Sequence, residues 1–323
     1  MNRRTMLLAM AALVMPLHTA RGQPRERIAR IGFLSVSEPE LSLDPFREGL
    51  RDHGYIEGRN IVLEVHFASR NPTRLPHLAA ALVESGVDII VAGGSDSIRA
   101  AQRATKSIPI VMTQTSDAVG SGFVTNLGRP GGNITGLSSQ AVAVGGKRLQ
   151  MLKELAPHAA RIAVLVNPAN PSHAPGVKVL DKAAQSLGME IRNVQIADIG
   201  QLDEAFSAMK KIGAHAMLVL PDNMFFNQRD RIVRLIAQAR LPAVHWRKEW
   251  IEAGGLVSYG QDNPALYREA AAYVQRILKG ARPGDLPVEQ PGKFEVYINL
   301  KAAKALDISI PQSIRLQADK VIE

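Results

Sequence analysis

The sequence predicts an α/β protein of two Rossmann-like lobes, each a parallel sheet covered by helices, joined by a multi-strand hinge. Three observations lead there. Short, β-branched apolar runs alternate with stretches of helical apolar spacing over residues 30–112, and the same alternation restarts over 144–245. Between the two series, residues 126–139 carry Gly128, Pro130, Gly131, Gly132 and Gly136, too much punctuation for the interior of a helix or strand. At 323 residues, the chain is also long enough for two domains with a sizeable core in each.

In chain order, 30–34 (Arg-Ile-Gly-Phe-Leu) and 61–67 (Ile-Val-Leu-Glu-Val-His-Phe) read as strands, being short, apolar and rich in β-branched residues. Residues 44–53 have helical spacing between them and stop at Gly54. A helix over 75–85, a nearly continuous apolar strand over 87–92, a helix opened by Gly93-Gly94-Ser95-Asp96 and a strand at 108–112 complete the first series. The stretch 126–139 then reads as a turn followed by a crossing. In the second series an amphipathic helix over 144–155 leads into strands at 161–166, 189–194, 214–220 and 242–245, alternating with helices at 177–187, 202–211 and 229–239. Residues 254–260 look like a return crossing, 264–278 a helix packed on the first lobe, 281–287 a linker, and 294–300 a third crossing into a last strand and helix. The expected lobes are therefore 28–135 with 258–285, and 136–257 with 290–318. Their hinge is expected at Thr135, Gly136, Gly260 and Pro291.

The chain opens with Arg3 and Arg4 ahead of an uncharged, mainly apolar run, and Ala20 and Gly22 stand at cleavage-type spacing before Gln23, so residues 1–22 read as an export signal. The arginine pair loosely resembles a twin-arginine signal, but an ordinary secretory leader carries the same charges and is preferred. No later stretch is long and apolar enough to span a bilayer. The formal charge of +9 falls by three when Arg3, Arg4 and Arg21 leave with the leader, and the remaining basic residues are scattered among acidic ones. That pattern, together with export, argues against nucleic acid as a partner. Cysteine is absent, which excludes disulfides, thiolate chemistry and a lipidated anchor. The expected location is the periplasm, as a monomer without membrane anchor.

Ligands of parallel α/β sheets sit beyond the carboxyl ends of the strands, so the loops there carry the candidate site. From the first lobe these are Ser35 and Ser37, Ser95 and Asp96, and Thr115, Ser116 and Asp117. Ser95 or Asp96 opens a helix whose free N–H groups and dipole favour an anion, by about 0.3–1 kcal/mol when exposed. Both can equally do no more than cap, and Asp117 can be a turn residue. From the second lobe come Ser139, Asn167, Asp222 and Trp246, with Tyr259 on the return crossing. Asp222 suits an ammonium group, and Phe225 and Trp246 suit a flat apolar wall. Their alternatives are turn former and core. For an amino acid, Ser95 would take the carboxylate and Asp222 or Asp117 the ammonium.

At this point the chain resembles the periplasmic solute-binding proteins of ABC importers with the type I two-lobed fold, in the branch that includes tryptophan-binding members. The resemblance spans essentially the whole chain after the leader. It rests on the runs 31–35, 46–61 (Phe-Arg-Glu-Gly-Leu-Arg-Asp-His-Gly-Tyr-Ile-Glu-Gly-Arg-Asn-Ile), 127–137, 147–155, 166–168 and 252–260. It implies a protein that captures a small solute between closing lobes and presents it to an inner-membrane permease with its ATPase, with no cofactor. Two departures touch the pocket. Ser116-Asp-Ala-Val-Gly120 lacks the proline that members often carry there, and His245-Trp-Arg-Lys-Glu-Trp250 is unusually basic and indole-rich. The solute class therefore stays open, from aromatic or other amino acids to other small carboxylates.

An enzyme finds little support. Ser95, Ser121 and Ser138 lack the flanking glycines of a nucleophile elbow. His173, His215 and His245 form no metal-binding spacing, and residues 142–147 only superficially resemble a phosphate loop, because Arg148 stands where Ser or Thr is required. A ligand sensor that docks on a receptor kinase would close in the same way and is the alternative to a transport component.

Overall fold

The computed structural model describes residues 28–36, 39–69, 71–290 and 292–323. The expected leader 1–22, Ser37 and Pro291 lie outside them. The first sheet holds five parallel strands, β1 (Ala29–Ser35), β2 (Ile61–Phe67), β3 (Ile89–Gly93), β4 (Ile110–Thr115) and β5 (Ile134–Ser138), in the order β2-β1-β3-β4-β5. Both faces are covered, which is why β3 and β4 are buried at every position. Alternate residues serve opposite cores. Ile31, Phe33, Ile89 and Val91 meet Phe46, Leu50, Tyr267 and Ala270 of the helices Pro39–Asp52 and Asn263–Leu278. Leu34, Ile90 and Ala92 meet Leu82, Ile98 and Ala101 of the helices Leu75–Glu84 and Ser95–Ala104.

The second lobe contains β6 (Arg161–Val166), β7 (Glu190–Gln195), β8 (Ala216–Val219), β9 (Val244–His245), β10 (Val257–Gly260), β11 (Glu295–Asn299) and β12 (Lys320–Ile322). The orders β7-β6-β8 and β9-β10-β11-β12 are joined by a single bridge between Met217 and Ala243. β10 and β11 pair antiparallel, so this half is mixed rather than wholly parallel. β11 is the strand by which the chain re-enters the second lobe from the first, and its direction follows from that route.

The crossings differ from the expected boundaries by a few residues, with consequences for the residues expected at the hinge. Residues 136–138 belong to β5 of the first sheet, and 258–260 belong to β10 of the second. Residues 286–289 run beside β5, through a bridge from Leu137 to Glu289, and the second sheet extends to residue 322. Thr135, Gly136 and Gly260 thus lie inside strands. Thr135 is fully buried and its Oγ1 donates to Leu286 O at 2.7 Å. Gly136 has φ +121°, and a Cβ there would collide with the Met112 backbone, so it serves close strand packing. A Cβ on Gly260 would meet the Trp246 backbone in the same way. The chain leaves the first sheet after residue 138 and the second after residue 260, and residues 286–289 run beside β5 before β11 opens at Glu295.

Candidate functional site

Between the sheets, the ends of the strands enclose a polar cavity of about 30 Å³. By the same measure a water needs about 10–15 Å³, so this space is small. From the first lobe it is lined by Gly94 and Ser95 at the start of a helix, by Gln114 and Ser116 at the end of β4, and by Ser139 after β5. Asn170, Asp222, Asn223 and Trp246 line it from the second lobe, with Gln261 after β10 and Asn263 at the start of the helix Asn263–Leu278. Five expected residues, Ser95, Ser116, Ser139, Asp222 and Trp246, are therefore brought together.

Hydroxyl groups dominate the first-lobe side. Ser95 Oγ lies 3.3 Å from Thr115 Oγ1, and Thr115 O accepts from Ser139 N at 2.7 Å and Ser139 Oγ at 2.9 Å. Thr115 thus braces the wall from behind. The lobes also touch each other: Ser172 Oγ sits 2.8 Å from Ser95 Oγ and 2.9 Å from Ser121 Oγ, all three buried.

The second-lobe side is organised around Asp222, 3% exposed at the N-cap of the helix Asn223–Phe226. Its Oδ1 accepts from Met224 N at 2.7 Å and Phe225 N at 3.4 Å, and its Oδ2 from Asn167 Nδ2 at 3.0 Å and Asn170 Nδ2 at 2.8 Å. All four partners are neutral donors, the arrangement that serves a carboxylate. Among the described residues no Lys or Arg pairs with Asp222. His173 Nε2 lies 3.8 Å away, but its Nδ1 accepts from Asn167 N at 2.8 Å and its Nε2 faces Pro221 O at 3.2 Å, which fits a neutral ring. Burial lowers the His173 pKa further, against the opposing pull of Asp222.

Behind Trp246, the Arg247 guanidinium is buried 4.0 Å over the Phe226 ring and 5.6 Å from that of Trp246. It is neutralised by Glu249, at 2.6 and 3.0 Å. Burial pushes the Glu249 carboxyl up, but Arg247 outweighs it and holds the pKa below the ordinary value. The basic character of this segment is thus spent on stiffening the aromatic wall.

Outside the cavity lies a second, larger hollow of about 500 Å³, again lined from both lobes. Asp96 and Asn167 fall here and not in the inner cavity. Burial, reinforced by Asp222, raises the Asp96 pKa to about 7.

Three expected residues are placed elsewhere. Ser35 is buried at the end of β1 and lines neither hollow. Asp117 closes a turn, accepting from Gly120 N at 2.8 Å. Tyr259 stacks on Phe294 at 5.5 Å within the second core, because neighbouring positions on β10 face opposite ways. Sequence reading missed Gln114, Asn170, Asn223, Gln261 and Asn263. The strand-end rule could have found Gln114, Asn170 and Asn223, each within a few residues of a residue it did select.

Among the described residues no helix is long and apolar enough to cross a membrane, and no cluster of His, Asp and Glu could hold a metal. A tyrosine-binding protein of Clostridioides difficile (strain R20291) is 29% identical over 285 residues, covering 87% of this chain and 80% of the relative. The structure of an ABC domain from Streptococcus pneumonia in complex with L-Trp superposes with a TM-score of 0.85 at 25% identity, covering 92% of this chain and 100% of that one. A conserved domain protein from Vibrio cholerae O1 biovar eltor gives a TM-score of 0.84 at 28% identity, covering 91% of this chain and 100% of the other. These likenesses place the two-lobed architecture among type I periplasmic-binding proteins. The family model for ABC transporter substrate binding proteins matches residues 28–322; the chain is a binding protein rather than an enzyme, and it belongs to that family.

Proposed function

We propose that this chain is an exported component of an ABC importer that captures an α-amino acid, with an aromatic side chain preferred, between its lobes and hands it to a membrane permease. One observation carries the reading: the uncompensated charge of Asp222 faces, across one cavity, neutral hydroxyl and peptide groups at Ser95 and Ser116. That is the complement of a zwitterion. The carboxylate goes to Ser95 and the N-terminus of its helix, and the ammonium to Asp222. Trp246 closes the same cavity from the second lobe. The tyrosine-binding relative and the L-Trp complex support the aromatic preference.

Contacts made by both lobes at once stabilise only the closed form, and a ligand shifts the balance by that difference alone. The links at 139–144 and 261–262, with the stretch after 289, form the axis. The compartment is the periplasm. The test is a thermal-shift screen of the protein lacking residues 1–22 against the amino acids and their deaminated analogues, followed by calorimetry. A ligand at 100 times its Kd adds about 2.7 kcal/mol. Aromatic amino acids should stabilise and the deaminated acids should not. Equal stabilisation by both would remove the zwitterion reading, and no response to any amino acid would remove the solute class.

A further inference from the structure

The inner cavity and the outer hollow share one wall. Three chain segments build it, and each gives consecutive residues to opposite sides: Ser95 faces the inner space and Asp96 the outer, Asn170 inner and Pro171 outer, Asn223 inner and Met224 outer. Ser172, buried in the segment between Pro171 and the helix that follows, ties the lobes together beside this wall through its hydroxyl contacts with Ser95 and Ser121, at 2.8 and 2.9 Å, two hydrogen bonds between neutral side chains of different lobes.

The two spaces differ in what they offer. The inner one, about 30 Å³ and polar, matches the head of an amino acid but not a large side chain. The outer one, about 500 Å³, has the size of a ligand pocket. Leu75, Pro76, Ala100, Ala104 and Met224 give it an apolar lining, and Asp96 and Arg103 add polar groups suited to the edge of a phenol or indole.

Resting on the amino-acid reading above, we infer that the two hollows are one binding channel divided by a movable serine partition, and that Ser172 is its gate. The ligand's charged head occupies the inner cavity. Its side chain displaces the Ser172 hydroxyl from Ser95 and runs out between the lobes into the outer hollow. Ser172 is thus a specificity-determining residue: a side chain too short to pass the partition gains nothing from the larger space.

Calorimetry with L-tryptophan and L-alanine, the latter by competition where weak, tests this on the wild type, Ala104→Trp, Ala169→Trp and Ser172→Ala. Ala104 lines the outer hollow from the first lobe and Ala169, an exposed loop residue, from the second, so two independent plugs guard against one failing to fold. Wild-type protein should bind L-tryptophan at least tenfold more tightly than L-alanine. Each plug should shrink that ratio at least tenfold, and Ser172→Ala should raise it several-fold, since fewer hydrogen bonds must break. A ratio unmoved by both plugs overturns the channel while leaving amino-acid capture standing. Wild-type protein that binds neither amino acid ends both.

Discussion

The two lobes approach the same cavity with opposite means. The first presents hydroxyls and the N-terminus of a helix, with Thr115 bracing Ser95 and Ser139, and no charged side chain lines the inner space from that side. The second presents a carboxylate fixed by four hydrogen bonds and an indole wall stiffened by a buried arginine. The difference separates two tasks. Neutral donors hold a carboxylate at little desolvation cost, whereas a buried charge without a cation partner is expensive until a ligand supplies one. On the zwitterion reading proposed above, selectivity would reside in the second lobe, and the first would supply a more permissive anion cradle.

The strongest test of this division is Asp222→Asn. Removing one partner of a buried, hydrogen-bonded charge pair costs about 2–5 kcal/mol. Calorimetry should show L-tryptophan affinity falling roughly a hundredfold, and the melting temperature should fall too, because the new amide would face Asn167 and Asn170 with a donor. Unchanged affinity would place the cation requirement elsewhere.

Next comes Gly94→Ala, which tests whether the first lobe must close onto the second. Gly94 has φ +83° and ψ 157°, a region essentially reserved for glycine, and a Cβ there would lie 2.5 Å from Asn223 Nδ2 of the other lobe. The backbone strain costs about 1–3 kcal/mol. Small-angle scattering should show the variant remaining expanded at L-tryptophan concentrations that compact the wild type.

A smaller effect concerns Asp96, an acidic residue of the first lobe that lines the outer hollow. Its pKa is raised from 3.8 to about 7, so its contribution to folding stability is complete below 3.8 and is lost as pH rises through 7. Asp96→Asn should flatten that loss and raise the melting temperature at pH 8 relative to wild type. His173 and His245 act in the other direction. Burial lowers both below 6.5, so their contribution is lost as pH falls, and the difference between variant and wild type isolates Asp96. The smallest effect is expected at Ser116→Ala: one neutral hydrogen bond is worth about 0.5–1.5 kcal/mol, at most about a tenfold loss of affinity in calorimetry.

Much of this arrangement is legible in the sequence, for identifiable reasons. β2, β6 and the helix Leu202–Lys211 fall where their apolar runs begin and end, because those runs are flanked by clear turn residues. Ser95, Asp222 and Trp246, chosen because strand ends mark the cleft, line one cavity. The failures share a cause. Gly136 looks like a hinge glycine, but nothing in one chain's sequence reveals that Met112 will crowd it from a neighbouring strand. Asp117 and Asp222 are both acids after a strand. Only the fold tells them apart, since one turns back to Gly120 and the other meets two asparagines brought in from the loop after β6. β12 is missed because its three residues gain strand character only by pairing with β11.

The route of the chain has a consequence for how the protein is made. Phe46 and Leu50 bury against Tyr267, Ala270 and Ala271, and Gly49 packs so closely on the Arg268 backbone that a methyl group would not fit. A ribosome delivers all five strands of the first sheet long before it delivers the helix that covers one of its faces. A fragment ending at residue 139 would cover that face only with the helix Pro39–Asp52 and leave the rest of it bare, and folding governed by such distant contacts is slow. The first lobe therefore completes its core only after the helix Asn263–Leu278 has been made.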